Sequence, residues 1–216
     1  MNFIRPHRTI PQVPWGAASR WDLNFKRASI LIFGLTIFGL GDALLVQSQT
    51  GNAPWSVLAQ GLSLKTTLNM GEATFLISAL VLFFWWPLGE RPGFGTIANI
   101  VVIAIAIQVG VSNFPTAKDN AVGLIYDFLG VMLVGIGSAL YITCGLGPGP
   151  RDGLMTSLHK LTGVRVGRIR LVIEVAALSI GWALGGRIGL GTAIFALFIG
   201  QSIAIALGVV ARFTSK

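Results

Sequence analysis

The sequence predicts an all-α polytopic membrane protein with six transmembrane helices in two inverted three-helix repeats, each carrying a short broken or re-entrant helix. Three observations lead there: the composition, a gapless internal repeat and the placement of basic residues. Of 216 residues, 53% are hydrophobic and 11% charged, with a mean hydropathy of +0.75. A soluble chain carries about 25% charged residues, so too little charge remains to coat a water-facing surface. Sliding the chain by 96 positions aligns residues 34–96 with 130–192 and makes 20 of the 63 pairs identical. The matches include Gly39/Gly135, Gly41/Gly137, Gly51/Gly147, Pro54/Pro150, Gly71/Gly167, Trp86/Trp182 and Arg91/Arg187. A leucine-rich composition does not place glycine, proline and tryptophan at one common offset; a duplication does.

Taken in order, residues 1–27 form a basic tail with Arg5, Arg8, Arg20, Lys26, Pro6, Pro11 and Pro14. The apolar run begins only near Ala28 and lacks a small-residue cleavage site, so the tail reads as cytoplasmic rather than as a signal peptide. Trp15, Trp21 and Phe25 are expected to lie against the headgroups. The first membrane repeat spans 28–114, with apolar runs at 28–48, 72–90 and 95–114. An outer linker follows at 115–121. The second repeat spans 122–211, with runs at 122–145, 168–186 and 191–211, and residues 212–216 are a cytoplasmic end. Each run approaches the roughly 20 residues that cross a bilayer. Segments 53–64 and 150–162 are only about three turns long, near half a bilayer, and Pro54 and Pro150 suit the first helical position.

Three spans per repeat make the second copy enter from the opposite side. With the amino terminus inside, inner segments hold 13 of the 16 Lys and Arg, while outer segments hold Lys65, Lys118 and Arg187. That is the asymmetry of positive-inside topology.

The segments Gly51-Asn52-Ala53-Pro54-Trp55-Ser56-Val57-Leu58 and Gly147-Pro148-Gly149-Pro150-Arg151-Asp152-Gly153-Leu154 resemble the paired signatures of the YczE-type bacterial integral membrane proteins, related to the YitT group. The resemblance covers nearly the whole chain after the tail, including the Glu174 span and the Gly185–Gly191 turn. Its second motif is the more specific. In the first, the family usually has an acidic residue where this chain has Ser56, so an acid–base role does not carry over there. The resemblance implies a protein of the bacterial cytoplasmic membrane, with transport expected and, for some members, a tie to regulation of secondary-metabolite production.

Backbone freed at a broken helix must line a polar cavity or be buried in protein, because lipid cannot satisfy it. Inverted-repeat transporters bind substrate at such breaks. Candidate substrate-binding residues are therefore Gly51, Asn52, Pro54 and Trp55 at the first break, and Gly147, Gly149, Pro150, Arg151 and Asp152 at the second. The competing reading is that both segments only pack. Arg151 stands against the helix dipole beside free N–H groups, which suits recognition of a carboxylate or phosphate; a local pair with Asp152 and a contact with lipid phosphate stay open. Asp42 and Glu174 lie inside spans, where a charge costs about 2.5–3.5 kcal/mol. Glu174 is either a structural partner of Arg170, four residues earlier, or a proton or substrate site. Asp42 is a site residue or caps a break after Gly41. Asn99 and the other neutral polar residues of the spans are expected to bond between helices, and Trp85 and Trp86 to form an interfacial belt.

Other classes are excluded. Cys144 is the single cysteine, so no internal disulfide or cysteine metal site exists. His7 lies in the tail and His159 in a polar stretch, so no metal or cofactor is expected. No nucleophile–base set or phosphate loop appears, and the chain is not expected to be an enzyme. The net charge of +8 sits at the ends of apolar runs, which argues against nucleic acid. Expected partners are the lipid bilayer, a small-molecule substrate and, as an open choice, a second copy of the chain. The leading expectation is a small-solute transporter or exporter working by alternating access on an anionic or zwitterionic substrate. The alternative is a non-transporting regulatory membrane protein or the membrane-embedded subunit of a larger transport complex.

Overall fold

A computed structural model describes residues 9–214; Arg5, Pro6, His7, Arg8 and Lys216 lie outside the described residues. Eight helices follow one another: α1 Phe25–Gln47, α2 Pro54–Lys65, α3 Met70–Phe83, α4 Phe94–Asn113, α5 Asn120–Thr143, α6 Pro150–Thr162, α7 Val166–Ala183 and α8 Leu190–Thr214. No strand occurs among the described residues. The helix starts follow local chemistry. Asn24 and Asp119 accept from the backbone N–H of Arg27 and Val122, Asn69 and Glu72 form a capping box, and Pro54 and Pro150 open α2 and α6. Helices α2, α3 and α4 start 96 residues before α6, α7 and α8.

The span count differs from the six expected. Helices α1, α4, α5 and α8 are each long and apolar enough to cross a membrane, and α2 with α3, bent by 118°, makes a fifth candidate. By itself α3 has 14 residues, about 21 Å against a hydrocarbon core of about 30 Å. Helix α7 has 18 residues, with Arg168, Arg170 and Glu174 in its first half. Its charge, not its length alone, sets it apart.

Small residues let the backbones touch. Helices α1 and α5 run antiparallel, Gly34 meeting Gly137 and Tyr141, Gly41 meeting Gly130, and Ser48 meeting Gly123. A Cβ on Gly41 would lie 2.8 Å from the Gly130 carbonyl oxygen, and one on Gly130 equally close to that of Gly41. Such contact is how helices pack without a hydrophobic force between them. Gly39 and Gly110 fit α1 against the parallel α4, and Gly135 fits α5 against the parallel α8. The short helices cross over: α2 packs on α7 through Gly61 and Gly181, and α6 packs on α3.

At one end of the bundle the tail is folded in. Arg27 is buried and donates to the carbonyl oxygens of Trp15, Gly16 and Asp22. Trp15 was expected at the headgroups, yet its indole N–H donates to Thr143 Oγ1 at 3.3 Å; Trp21 and Phe25 are exposed. Trp85 also departs from the interfacial belt. It is 1% exposed, donates to the Pro150 carbonyl at 2.9 Å and fills the space left by Gly153, whereas Trp86 faces outward.

Candidate functional site

The first turns of α2 and α6 meet at a cavity of about 330 Å³, completed by side chains of α1, α3, α4, α5, α7 and α8. Its lining comes in pairs 96 residues apart: Pro54 and Pro150, Trp55 and Arg151, Ser78 and Glu174, Asn99 and Phe195, Ile103 and Ile199. The cavity therefore sits where the repeats face each other. Pro54/Pro150 and Ile103/Ile199 are identical, whereas Trp55/Arg151, Ser78/Glu174 and Asn99/Phe195 are chemically unlike, so the lining carries its charge on the second repeat's side.

Arg151 Cζ stands 4.9 Å from the ring centroid of Trp55, its repeat mate, within cation–π range. The pair with Asp152 left open by the sequence does not form. Asp152 accepts from the Tyr141 hydroxyl at 2.8 Å, and among the described residues no carboxylate lies within 4.0 Å of the Arg151 guanidinium. Glu174 accepts from Arg170 Nε at 2.8 Å, and both line the cavity. Asp42 is 2% exposed and accepts from Ser56 Oγ at 3.0 Å. Asp42–Ser56 corresponds to Ser138–Asp152 one repeat later, so the carboxylate has moved from α1 to α6 between the halves. Chemically, a stacked guanidinium beside two helix N-termini can hold a carboxylate or phosphate. Asp152 and Glu174 can accept from an ammonium group.

Of the candidates, Pro54, Trp55, Gly149, Pro150, Arg151, Asp152 and Glu174 line the cavity, while Gly51, Asn52, Gly147 and Asp42 do not. Gly51 and Gly147 have φ of +132° and +116°, and each docks on the other repeat. Gly51 lies against Gly189 and Thr192 at the start of α8, and Gly147 against Gly93 and Thr96 at the start of α4. Gly191 N–H donates to the Thr50 carbonyl at 3.3 Å, as Gly95 N–H donates to that of Leu146 at 2.8 Å. This cross-docking is what the repeated Gly-Thr pairs serve. The Asn52 side chain donates to Gln60 Oε1 at 2.8 Å, which also accepts from Arg187 N–H.

Sequence reasoning missed Tyr141, Phe38 and Phe195 as lining residues, and Asn99 faces the cavity rather than serving only as a bond between helices. It also passed over Asp127, which is 0% exposed within α5. The available signal was simply a carboxylate inside an apolar run.

Over residues 25–207 the sequence matches the family described as a family of unknown function, DUF6198. The chain belongs to the DUF6198 family. An uncharacterized protein of Haemophilus influenzae is 41% identical over 207 residues, 95% of this chain and 94% of its own. The uncharacterized membrane protein YczE of Bacillus subtilis is 32% identical over 87% of this chain and 85% of its own. The uncharacterized protein YyaS of the same organism is 26% identical over 85% and 94%. The likeness to YczE agrees with the motif resemblance and with a membrane protein. No solved structure matches. The DUF6198 match includes every residue of the cavity; the folded segment 9–24 precedes it.

Proposed function

We propose that the protein is a small-solute transporter or exporter of the bacterial cytoplasmic membrane, working by alternating access on an anionic or zwitterionic substrate. The observation that carries this reading is Arg151, stacked on Trp55 with no carboxylate within 4.0 Å of its guanidinium among the described residues, in a cavity between the two repeats. The antiparallel crossing of α1 and α5, the first helices of each repeat, supports an inverted duplication. Inverted repeats of this kind bind substrate at their interface. The cross-docks suggest how access alternates: releasing Gly51 from α8 opens one end, releasing Gly147 from α4 opens the other. Positive-inside charge supports an orientation with both termini inside. Arg20 bonds to the Arg91 carbonyl and to Glu90, which binds Lys160; Arg187 bonds to Gln49 at the opposite end.

The test is calorimetric titration of the purified protein with acetate, glycine, succinate and phosphate, followed by uptake of any bound compound into proteoliposomes. Arg151→Lys keeps the charge and removes the planar fork. It is expected to weaken binding tenfold or more, about 1.4 kcal/mol, with thermal stability nearly unchanged. Equal affinity in Arg151→Lys would end the anion reading, and binding without uptake would favour the regulatory or subunit alternative.

A further inference from the structure

The buried carboxyl of Asp127 lies outside the cavity, at the dock between the first break and α8. Its Oδ2 accepts from Thr50 Oγ1 at 2.5 Å. Its Oδ1 is fully buried with no hydrogen-bond partner among the described residues. The Ser48 hydroxyl, 3.1 Å from Thr50 Oγ1, donates instead to the Leu45 carbonyl at 2.7 Å, so the Thr50 proton is left for Asp127. Among the described residues no basic side chain lies within 4.0 Å of the carboxyl. Arg187, in the turn before α8, donates to the Gln49 main-chain and side-chain oxygens. On the α5 side, Lys118 is exposed and Asp119 caps the Val122 N–H; Tyr126 is the remaining titratable neighbour. From α8 the facing groups are Gly191 and Thr192, both uncharged. A buried carboxylate with one oxygen left without a partner is costly for a fold to carry.

The fold itself does not need it. One repeat away, the positions of Asp127 and Thr50 are Leu31 and Leu146, both buried in a single apolar cluster. That half makes the same dock, with Leu146 accepting from Gly95 N–H as Thr50 accepts from Gly191 N–H. An apolar pair suffices there, so the polar pair points to a ligand. Around Gly191 the oxygens converge. A Cβ there would lie 2.6 Å from Thr50 Oγ1, 2.7 Å from Asp127 Oδ1 and against the Gly51 carbonyl oxygen. Carboxylate, hydroxyl and a carbonyl freed at a helix break make a hard-oxygen set that suits a small cation.

We propose that Asp127, with Thr50 and the Gly51 carbonyl, binds a small monovalent cation, a proton or a sodium ion, whose charge lets the first break stay docked on α8. A proton sits on Oδ1; a sodium ion draws in the three oxygens as Gly191 gives way. Without the cation the buried charge drives the dock apart, which ties cation occupancy to opening at this end. The proposal stands apart from the solute reading, because its readout requires no solute.

The experiment measures thermal unfolding of the full chain in detergent, with sodium chloride against choline chloride at constant ionic strength, and from pH 6 to 9. It compares the wild type with Asp127→Asn and with the double change Asp127→Leu, Thr50→Leu, which copies the other repeat. A saturable rise in Tm with sodium, seen in the wild type alone, identifies sodium. No sodium response, but a fall in Tm with rising pH several degrees larger in the wild type than in both variants, identifies the proton. Identical behaviour of all three proteins in both series overturns the proposal. Should neither variant fold, Thr50→Val takes their place: it keeps the charge and must shift the midpoint of the response at least threefold, and an unshifted midpoint overturns the proposal as well.

Discussion

Glu90 lies in the turn between α3 and α4 with its side chain 8% exposed. It accepts from Arg20 at 2.7 Å, Lys160 at 2.9 Å and Ser157 at 3.3 Å. One carboxylate thus ties the tail, the α3–α4 turn and α6 together. Burial pushes its pKa up, but the hydrogen bonds from Lys160 and Arg20 and their charges prevail, holding it below the ordinary 4.5. The sign follows: the group adds stability above pH 4.5, and that stability is lost as pH falls through its depressed folded value. Glu90→Gln is expected to lower stability at neutral pH by about 1 kcal/mol, the upper range for a partly screened pair. Thermal unfolding between about pH 5 and 3 should then be flatter in the variant than in the wild type; parallel curves would remove the ionic tie. At this scale sequence reading is weakest. Trp85 and Trp86 are adjacent and identical, yet one is core and the other faces outward, because only tertiary contact reveals the space at Gly153.

At the scale of elements, the repeat made the starts of α2, α3 and α4 legible from those of α6, α7 and α8, since Pro54/Pro150 and the glycines mark them in the chain. What it hid was where the breaks dock, because packing on the opposite repeat leaves no local signal beyond a repeated Gly-Thr. The docks are tight. A Cβ on Gly51 would lie 2.5 Å from Gly189 N and 2.7 Å from Thr192 Oγ1, and one on Gly147 2.9 Å from Thr96 Oγ1. Both glycines also hold φ values that L side chains rarely adopt. Gly51→Ala and Gly147→Ala are each expected to destabilise by about 1–3 kcal/mol from backbone strain alone, with the clash added. Gly163, φ +70° with nothing within 4 Å of its Cβ position, is the control in which strain acts without crowding. If unfolding shows the three variants equally affected, the docks are looser than their geometry indicates.

For the whole molecule, composition alone made the membrane class legible, and six apolar runs were visible, but α3 and α7 stop short of independent spans. Their shortness and charge are compensated by packing on α6 and α2, which a hydropathy pattern does not register. Topology therefore rests on two independent arguments, the antiparallel pairing of equivalent helices and the charge asymmetry. Single cysteines in a Cys144→Ala background separate them. Cys144 is the single cysteine, so its replacement leaves each introduced thiol as the sole target. An impermeant maleimide applied to intact cells is expected to label Lys65→Cys, Lys118→Cys and Arg187→Cys, and to reach Arg91→Cys and Lys160→Cys only after permeabilisation. Lys65 and Lys160 lie in the last turns of equivalent short helices, so labelling both from one side would make the repeats parallel and end the inverted arrangement. Reversal of the full pattern would keep the inversion and overturn only the inward placement of the termini. The two failures are distinct because the proposed inversion rests on how α1 crosses α5, whereas the proposed orientation rests on the distribution of basic residues.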